Sequence, residues 1–249
     1  MITISAISYL NTIPFLYGLQ HSGLLSNFDL NLDVPSACAE KLINNKIDIG
    51  IVPVAIIPFL EYHEIISDYC IGANDAVKTV LLVSNKPLHL IEKIYLDYDS
   101  RTSVQLVKVL AKNFWKIDPE WEKLNKEDIV SPENIDSAVL IGDKTFYTAD
   151  KYFYVYDLAL EWKRFTSLPF VFACWIANKP LPEEFKTNFN NAIKFGVDNI
   201  QKAIAQYPDK APKHIDALDY LTNNVNFILD DKKKEGMKLF LDYLKKDNL

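Results

Sequence analysis

A cluster of hydroxyl and amide side chains follows the first strand-like run of the chain. In the stretch AISYLNTIPFLYGL, residues 6–19, the polar members are Ser8, Tyr9, Asn11 and Thr12. An apolar helical pattern begins directly after them, so an amide, two hydroxyls and a phenol stand beside the amino end of a helix. Two interpretations are open: a polar loop with a capping residue, or a turn that binds a ligand.

A second cluster has the same placement between a strand and a helix. It is DYDSRTS, residues 97–103, in which Ser100, Thr102 and Ser103 carry hydroxyls beside Arg101. The free N–H groups and the positive end of a helix favour a bound carboxylate or phosphate at such a position. In the alternative interpretation, one of the hydroxyls caps the helix and Arg101 points to solvent.

Two further segments carry chemically useful groups at the ends of predicted strands. In LIGDKTF, residues 140–146, Asp143 is suited to hold a ligand hydroxyl, to act as a base or to cap the next turn. Lys78 and Thr79 begin another strand, and strand alternation leaves only one of them facing a cleft.

The segment 156–175 is rich in aromatic residues. Trp162, Phe170, Phe172 and Trp175 belong to it, and such a density of large apolar rings is more typical of a core than of a ligand wall. We therefore predict that these rings are buried in the core.

The sequence lacks the motifs of several common catalytic and cofactor-binding sites. Its seven glycines include no GxG pattern, which disfavours a dinucleotide-binding turn or a phosphate-cradling loop. The four histidines stand apart from one another and from any cysteine pair, so we expect no metal site. No GxSxG nucleophile elbow is present. A site built from hydroxyls, amides and backbone N–H groups is what remains.

Composition and charge narrow the class of protein. The 249 residues carry a formal net charge of −6, so we expect no binding to nucleic acid or to an anionic membrane. The three cysteines are far apart and predict buried thiols in a reducing compartment. The first residues do not resemble a secretory signal, and the longest apolar run is too short to span a bilayer. These features predict a soluble, cytoplasmic protein.

Strand and helix signals alternate through much of the chain, which predicts an α/β fold with parallel or mixed sheets. The predicted strands are Ile2–Ile7, Leu30–Val34, Ile47–Val54, Lys78–Ser84, Lys93–Tyr98, Ala138–Ile141, Tyr152–Tyr156 and residues 168–177. The predicted helices are Pro14–Gln20, Ser36–Asn45 with Ser36 as its cap, residues 100–115, Glu183–Gln206, Ile215–Asn224 and Asp231–Lys246.

This order of elements fits a chain with two lobes. We expect residues 1–84 and 171–249 to form one lobe and residues 85–170 to form an inserted second lobe. Strands near 80–84 and 171–177 would then be the crossovers between the lobes. A ligand is expected in the cleft, where carboxyl ends of strands and amino ends of helices converge.

Five segments together resemble the chorismate dehydratase family of the futalosine route to menaquinone. They are SYLNTIP, DAVKTVLLVS, DYDSRTSVQL, LIGDKTF and YDLALEWKRFTSLPFVFACWIA, in the family's order. The resemblance implies a two-lobed fold of the type II periplasmic-binding-protein kind, in a cytoplasmic enzyme. It also implies loss of water from chorismate, giving 3-[(1-carboxyvinyl)oxy]benzoate without any cofactor. Chorismate, a small anionic molecule, is the expected partner, and the oligomeric state is left open.

Residue roles follow from the resemblance. Asn11 is expected to polarise the ring substituents or the leaving hydroxyl, and Thr79 to donate to that hydroxyl or to a carboxylate. The turn with Ser100, Thr102 and Ser103 is expected to hold a substrate carboxylate. Ser8, Tyr9, Arg101 and Asp143 complete the predicted substrate-binding set.

The chain departs from the family at one place. Lys78, Thr79 and Val80 stand where the family usually has Arg, Ser and Val, so the hydroxyl is kept with an added methyl group and the guanidinium is replaced by a point charge. The base is either Asp143 or the enolpyruvyl carboxylate of the substrate, and we favour the substrate because the motifs contain no histidine or paired carboxylates.

Two other functions are compatible with the same fold. One is a non-catalytic binding protein for a small anionic ligand, since a scaffold does not determine an activity. The other is the sister enzyme that makes 1,4-dihydroxy-6-naphthoate. That enzyme typically opens with a turn like SPCPNDT, and SYLNT speaks against it.

Overall fold

A computed structural model describes residues 1–26, 28–97, 99–125 and 135–249 of the chain. Its strands are β1 (Ile2–Ile7), β2 (Phe28–Asp33), β3 (Ile49–Pro53), β4 (Glu64–Ala73), β5 (Val80–Ser84), β6 (Lys93–Leu96), β7 (Glu120–Lys123), β8 (Ser137–Ile141), β9 (Tyr154–Asp157), β10 (Phe170–Ala177) and β11 (Asn226–Ile228). Its α-helices are α1 (Ile13–His21), α2 (Pro35–Ile43), α3 (Arg101–Leu110), α4 (Thr145–Thr148), α5 (Leu158–Thr166), α6 (Glu183–Asp198), α7 (Ile200–Gln206), α8 (Ala217–Asp219) and α9 (Asp231–Asp247).

The first sheet is mixed and has the strand order β11-β4-β10-β3-β1-β2. β1 pairs in parallel with β2 and β3, whereas β10 runs antiparallel to both of its neighbours. All eight residues of β10 are buried, because the strand lies inside the sheet and helices cover both faces. This burial explains why the segment reads as a continuous apolar run.

The second sheet is also mixed, with the order β7-β6-β8-β5-β9. β6 is parallel to β7 and β8, and β5 is antiparallel to β8 and β9. We propose that the two sheets mark the two lobes. Among the described residues, the strand Val80–Ser84 pairs only within this second sheet. The boundary between the first lobe and the inserted lobe would therefore precede Val80, whereas the sequence placed it after Ser84.

Helices flank both sheets, and the predicted α/β architecture is confirmed. α2 packs on β3, α6 on β4 and α9 on β10, while α3 and α5 cover the second sheet. One apolar core runs through the first sheet into the inner face of the second, and a smaller cluster around Leu81 and Leu140 lies on the other face. The three cysteines are buried free thiols, as predicted.

The structure differs from the sequence prediction at several elements. Ser36 is the second residue of α2 and makes no capping bond, because Pro35 already begins the helix. The predicted helix Glu183–Gln206 breaks at Asn199, whose side-chain amide donates to the Phe195 carbonyl oxygen at 2.8 Å. Residues 215–224 form only the short α8 and a π-helical turn, Tyr220–Asn224.

Further differences concern strands, and β7 and β11 were not among the predicted ones. β4 was not predicted, because a register shift in its pairing with β10 interrupts the alternation that identifies a strand. The predicted strand Lys93–Tyr98 ends at Leu96 in the structure, and Tyr98 lies outside the described residues.

α1 and α6 pack against each other at two glycines. A Cβ atom on Gly18 would lie 2.1 Å from the Ala192 carbonyl oxygen, and one on Gly196 would lie 1.8 Å from the Pro14 carbonyl oxygen. Both clashes involve backbone atoms, so no side-chain rotation relieves them. This crossing keeps α1, and the turn that precedes it, against the C-terminal part of the chain.

Gly196→Ala is expected to lower the free energy of unfolding by about 2 kcal/mol or more, since the two helices must separate to admit the methyl group. Urea unfolding followed by circular dichroism measures the change. Asn191→Ala, at an exposed position of the same helix, is the matched control and is expected to leave stability nearly unchanged. Equal stability of the two variants would contradict the close helix crossing.

Candidate functional site

A cavity lies where the carboxyl ends of β1, β3 and β8 meet the amino ends of β5 and α3. Its cavity volume is about 50 Å³, so the cleft is narrow in this structure. Its polar lining comes from Tyr9, Asn11, Thr79, Ser100 and Ser103. Apolar residues from both sheets make up the rest, which suits a small ring with a few polar substituents.

The opening turn supplies Tyr9 and Asn11 to this cavity. Thr12 is buried, and its hydroxyl donates to Asn11 Oδ1 at 3.1 Å, which directs the amide nitrogen of Asn11 to the opposite side. Asn11 is therefore held in one orientation by its neighbour in sequence. Ser8 is not one of the lining residues, and its carbonyl oxygen accepts from Lys210 Nζ at 3.0 Å.

The second turn places two of its three hydroxyls on the cavity. Ser100 caps α3: its Oγ accepts from the Ser103 N–H at 3.3 Å and lies 3.0 Å from Ser103 Oγ. Both serines are buried at the amino end of α3, where a negative group is stabilised by the helix dipole. Thr102 instead accepts from the Ala55 N–H at 3.2 Å, and Arg101 is exposed; neither residue lines the cavity.

Thr79 faces the cavity and Lys78 does not, but strand alternation is not the reason, because β5 begins only at Val80. Thr79 is buried, its carbonyl oxygen accepts from the Gly142 N–H at 2.9 Å, and its Oγ1 lies 2.9 Å from the Tyr220 hydroxyl. Lys78 turns outward with φ of +66°, and its ammonium group pairs with Asp219 at 3.7 Å. The charge that replaces the expected guanidinium therefore lies outside the cavity.

Asp143 joins the two sheets instead of lining the cavity. Both of its carboxylate oxygens accept from the Leu10 N–H, at 3.2 and 3.3 Å. Leu10 follows β1 and Asp143 follows β8, so one carboxylate connects the two loops that border the cleft. Burial raises the pKa of Asp143 to about 6, although the Leu10 N–H and the charge of Lys210 act in the opposite direction.

Tyr9 and Gly142 are packed together directly beside this contact. Gly142 has φ of +68°, and a Cβ atom there would lie 2.9 Å from Cε2 of the Tyr9 ring. Burial, together with the nearby carboxylates Asp99, Asp97 and Asp143, raises the pKa of Tyr9, so its phenol stays protonated. The Tyr9 ring thus fits against bare backbone of the opposite sheet.

Sequence reasoning missed several features of the site. Asp97 is buried next to the second turn, where it pairs with Lys144; burial is the main cause of its raised pKa. The DYDS motif included Asp97, but no periodicity indicated its partner. Tyr220 comes from the C-terminal segment, where the sequence showed no motif. Trp162, Phe170, Phe172 and Trp175 all lie in the core as predicted, and Phe172 also lines the cavity.

The arrangement presents neutral hydrogen-bond donors to a ligand. Across the described ranges, no lysine or arginine lines the cavity, so a negative group would be held by hydroxyls, amides and the N-terminus of α3. In the same part of the chain, histidine, cysteine and carboxylate side chains form no cluster of three with the spacing of a metal site. Nor does any described helix combine the length and apolar character needed to cross a membrane.

Known proteins match the chain over nearly its whole length. A sequence model of the menaquinone biosynthesis family matches residues 2–246. The chorismate dehydratase of Thermus thermophilus is 22% identical over 258 aligned positions, covering 95% of this chain and 92% of the relative. The chorismate dehydratase of Campylobacter jejuni is 27% identical over 252 positions, covering 98% and 97%.

Solved structures agree with the fold. Protein AF1704 of Archaeoglobus fulgidus superposes with a TM-score of 0.78 at 15% identity, covering 99% of this chain and 97% of that one. The periplasmic aliphatic sulphonate binding protein SsuA of Escherichia coli gives a TM-score of 0.62 at 16% identity, covering 99% and 92%. The predicted periplasmic-binding-protein-like fold is confirmed.

The pKa of Asp143 predicts how stability changes with pH. A carboxyl whose pKa rises from 3.8 to about 6 on folding binds more protons in the native state, so stability falls as the pH rises through that window. Asp143→Asn keeps an oxygen acceptor for the Leu10 N–H and removes the charge. Relative to this variant, the wild type is expected to lose about 2 kcal/mol of unfolding free energy between about pH 4 and about pH 7.

Urea unfolding at a series of pH values measures this difference. Asn191→Ala, at an exposed position without a titratable group, is the control and is expected to differ from the wild type by a nearly constant amount. A pH-independent difference between the wild type and Asp143→Asn would contradict the buried, partly desolvated state of this carboxylate.

Proposed function

This chain belongs to the menaquinone biosynthesis family, and from that membership we propose that it is a chorismate dehydratase. It would convert chorismate to 3-[(1-carboxyvinyl)oxy]benzoate and water. The observation that carries the proposal is the convergence of Asn11, Thr79 and the serine-capped end of α3 on one cavity. These three groups come from distant segments of the chain, and each belongs to a motif that resembles the family.

The chemistry of the cavity lining suits the substrate class. Chorismate carries two carboxylates on a compact ring framework, and the amino end of α3 with Ser100 and Ser103 offers hydroxyls and helix N–H groups to one of them. The apolar walls, which include Ile71 and Phe172, would hold the ring. Neutral donors can hold such a carboxylate without an ion pair in the desolvated interior.

The reaction needs little catalytic machinery. Removal of the hydrogen at C3 leaves its electron pair delocalised into the ring carboxylate as a dienolate. Expulsion of the C4 hydroxyl, with the proton, as water then completes an aromatic ring. Because aromatisation supplies a large driving force, the protein has to orient the substrate, stabilise the dienolate and hydrogen-bond the leaving hydroxyl.

Asn11 and Thr79 are the donors we assign to these tasks. The fixed orientation of Asn11 aims its amide nitrogen away from Thr12, and Thr79 Oγ1 lies at the start of β5, on the cavity wall. Preorganised donors of this kind stabilise developing charge at little reorganisation cost. We assign Asn11 to the ring substituents or the leaving hydroxyl and Thr79 to that hydroxyl or a carboxylate.

We assign the role of base to the substrate's own enolpyruvyl carboxylate, which lies close to the C3 hydrogen. The placement of Asp143 supports this assignment, because its oxygens accept from the Leu10 N–H and the residue is not part of the cavity lining. Action without a cofactor and a cytoplasmic location belong to the same proposal, and they rest on the resemblance in sequence.

A purified sample incubated with chorismate tests the proposal by liquid chromatography and mass spectrometry. We expect a benzoate product lighter than chorismate by one water. Asn11→Ala is expected to lower kcat by about 100-fold or more, since it removes a preorganised donor. Asn191→Ala is the matched control. Binding of chorismate without turnover by the wild type would instead favour a non-catalytic binding protein, and absence of both would refute the assignment.

Asp143→Asn tests the assignment of the base. If the substrate carboxylate takes the proton, this variant keeps kcat within about tenfold of the wild type, because only the positioning of the Leu10 loop is altered. Loss of turnover by several orders of magnitude with unchanged chorismate binding, measured by calorimetry, would assign the base to Asp143.

A further inference from the structure

A tyrosine hydroxyl lies directly behind the cavity wall. Tyr220 is only 2% exposed, and its hydroxyl oxygen is 2.9 Å from Thr79 Oγ1, which belongs to a residue 1% exposed. Tyr220 itself does not line the cavity. Its hydroxyl therefore affects a bound molecule only through the groups in front of it.

Contacts on its backbone and on its ring hold Tyr220 in place. It begins the π-helical turn Tyr220–Asn224, and its carbonyl oxygen accepts from the Val225 N–H at 3.1 Å. The ring meets Phe146 edge to face, with centroids 5.3 Å apart and an interplanar angle of 88°. Contacts on the ring and on the backbone thus determine where the hydroxyl lies.

The hydrogen of the Tyr220 hydroxyl has one acceptor within reach. Burial raises the pKa of Tyr220, so the phenol keeps its proton, although the hydrogen bond with Thr79 acts in the opposite direction. Among the described residues, Thr79 Oγ1 is the one hydrogen-bond partner of this hydroxyl. Because a buried donor without a partner is costly, the hydrogen of Tyr220 is directed to Thr79 Oγ1.

The hydrogen bond from Tyr220 determines the direction in which the Thr79 hydroxyl donates. Its β-branched side chain has few rotamers, so the oxygen position follows from the backbone of β5, but the hydroxyl hydrogen is free to rotate. An oxygen that accepts from Tyr220 turns its own hydrogen away from that donor, toward the cavity. The direction of donation by Thr79 is then decided by a residue that never touches the ligand.

We propose that Tyr220 is a positioning residue that makes Thr79 a hydrogen-bond donor toward the substrate, because the buried Tyr220 hydroxyl donates to Thr79 Oγ1. This inference rests on the proposed function, because it assigns Thr79 a donor role in that reaction. It adds to that function a residue from the C-terminal segment that none of the recognised motifs contains.

Steady-state kinetics of Tyr220→Phe with chorismate test the proposal. This variant keeps the ring and its packing on Phe146 and removes only the hydroxyl. We expect kcat to fall about tenfold, the effect of one lost hydrogen bond, with KM nearly unchanged. In a Thr79→Val background, Tyr220→Phe is expected to cause no further loss, because the group it orients is already absent.

The control is Tyr152→Phe, which removes another buried phenol hydroxyl, from the smaller core cluster, and is expected to leave kcat unchanged. Thermal unfolding of all variants separates positioning from stability. A lower Tm for Tyr220→Phe with wild-type kcat would overturn the proposal, as would multiplicative losses in the double variant. A wild type without chorismate turnover would overturn the proposed function and this inference together, whereas an active wild type with an unaffected Tyr220→Phe overturns the inference alone.

Discussion

The cleft depends on the contact between the two sheets at the loops after β1 and β8. There, Asp143 accepts from the Leu10 N–H, and the ring of Tyr9 lies against Gly142, which has no side chain to exclude it. Both loops leave the carboxyl ends of parallel strands, where an α/β protein exposes its backbone and binds ligands. The cavity forms where these two ends face each other, and its remaining groups take their positions from that arrangement.

A narrow, mainly apolar cavity of this kind favours neutral recognition groups. An isolated lysine or arginine inside it would be strongly destabilising without a partner, since removing a charge from water costs several kcal/mol. The described chain places Lys78 outside, near Asp219, and lines the cavity with hydroxyls, an amide and the amino end of α3. Negative charge on a ligand would then meet dipoles that are already oriented, which is the condition for stabilising a charge that develops during a reaction.

Hydroxyl groups have a weakness as catalytic donors, because their hydrogen rotates freely and each needs a partner that sets its direction. The chain orients its donors with one local contact and one long-range contact: Thr12 donates to its neighbour Asn11, and Tyr220 reaches Thr79 from the C-terminal third of the chain. The packing of α1 on α6 at Gly18 and Gly196 keeps those segments together. A tight helix crossing remote from the cavity thereby supports the geometry of its donors.

Local sequence determined the elements and the turns that carry chemistry, because periodicity and turn composition act over a few residues. It identified β1, a cap at either Ser100 or Thr102, and Asn11 and Thr79 as cavity candidates. It could not decide which hydroxyls face the cavity: Thr102 instead accepts from the Ala55 N–H, across 47 residues of sequence. The interrupted β4, the bridge from Asp143 to Leu10 and the contact of Tyr220 with Thr79 were likewise decided only by tertiary structure, since each joins segments that no local pattern relates.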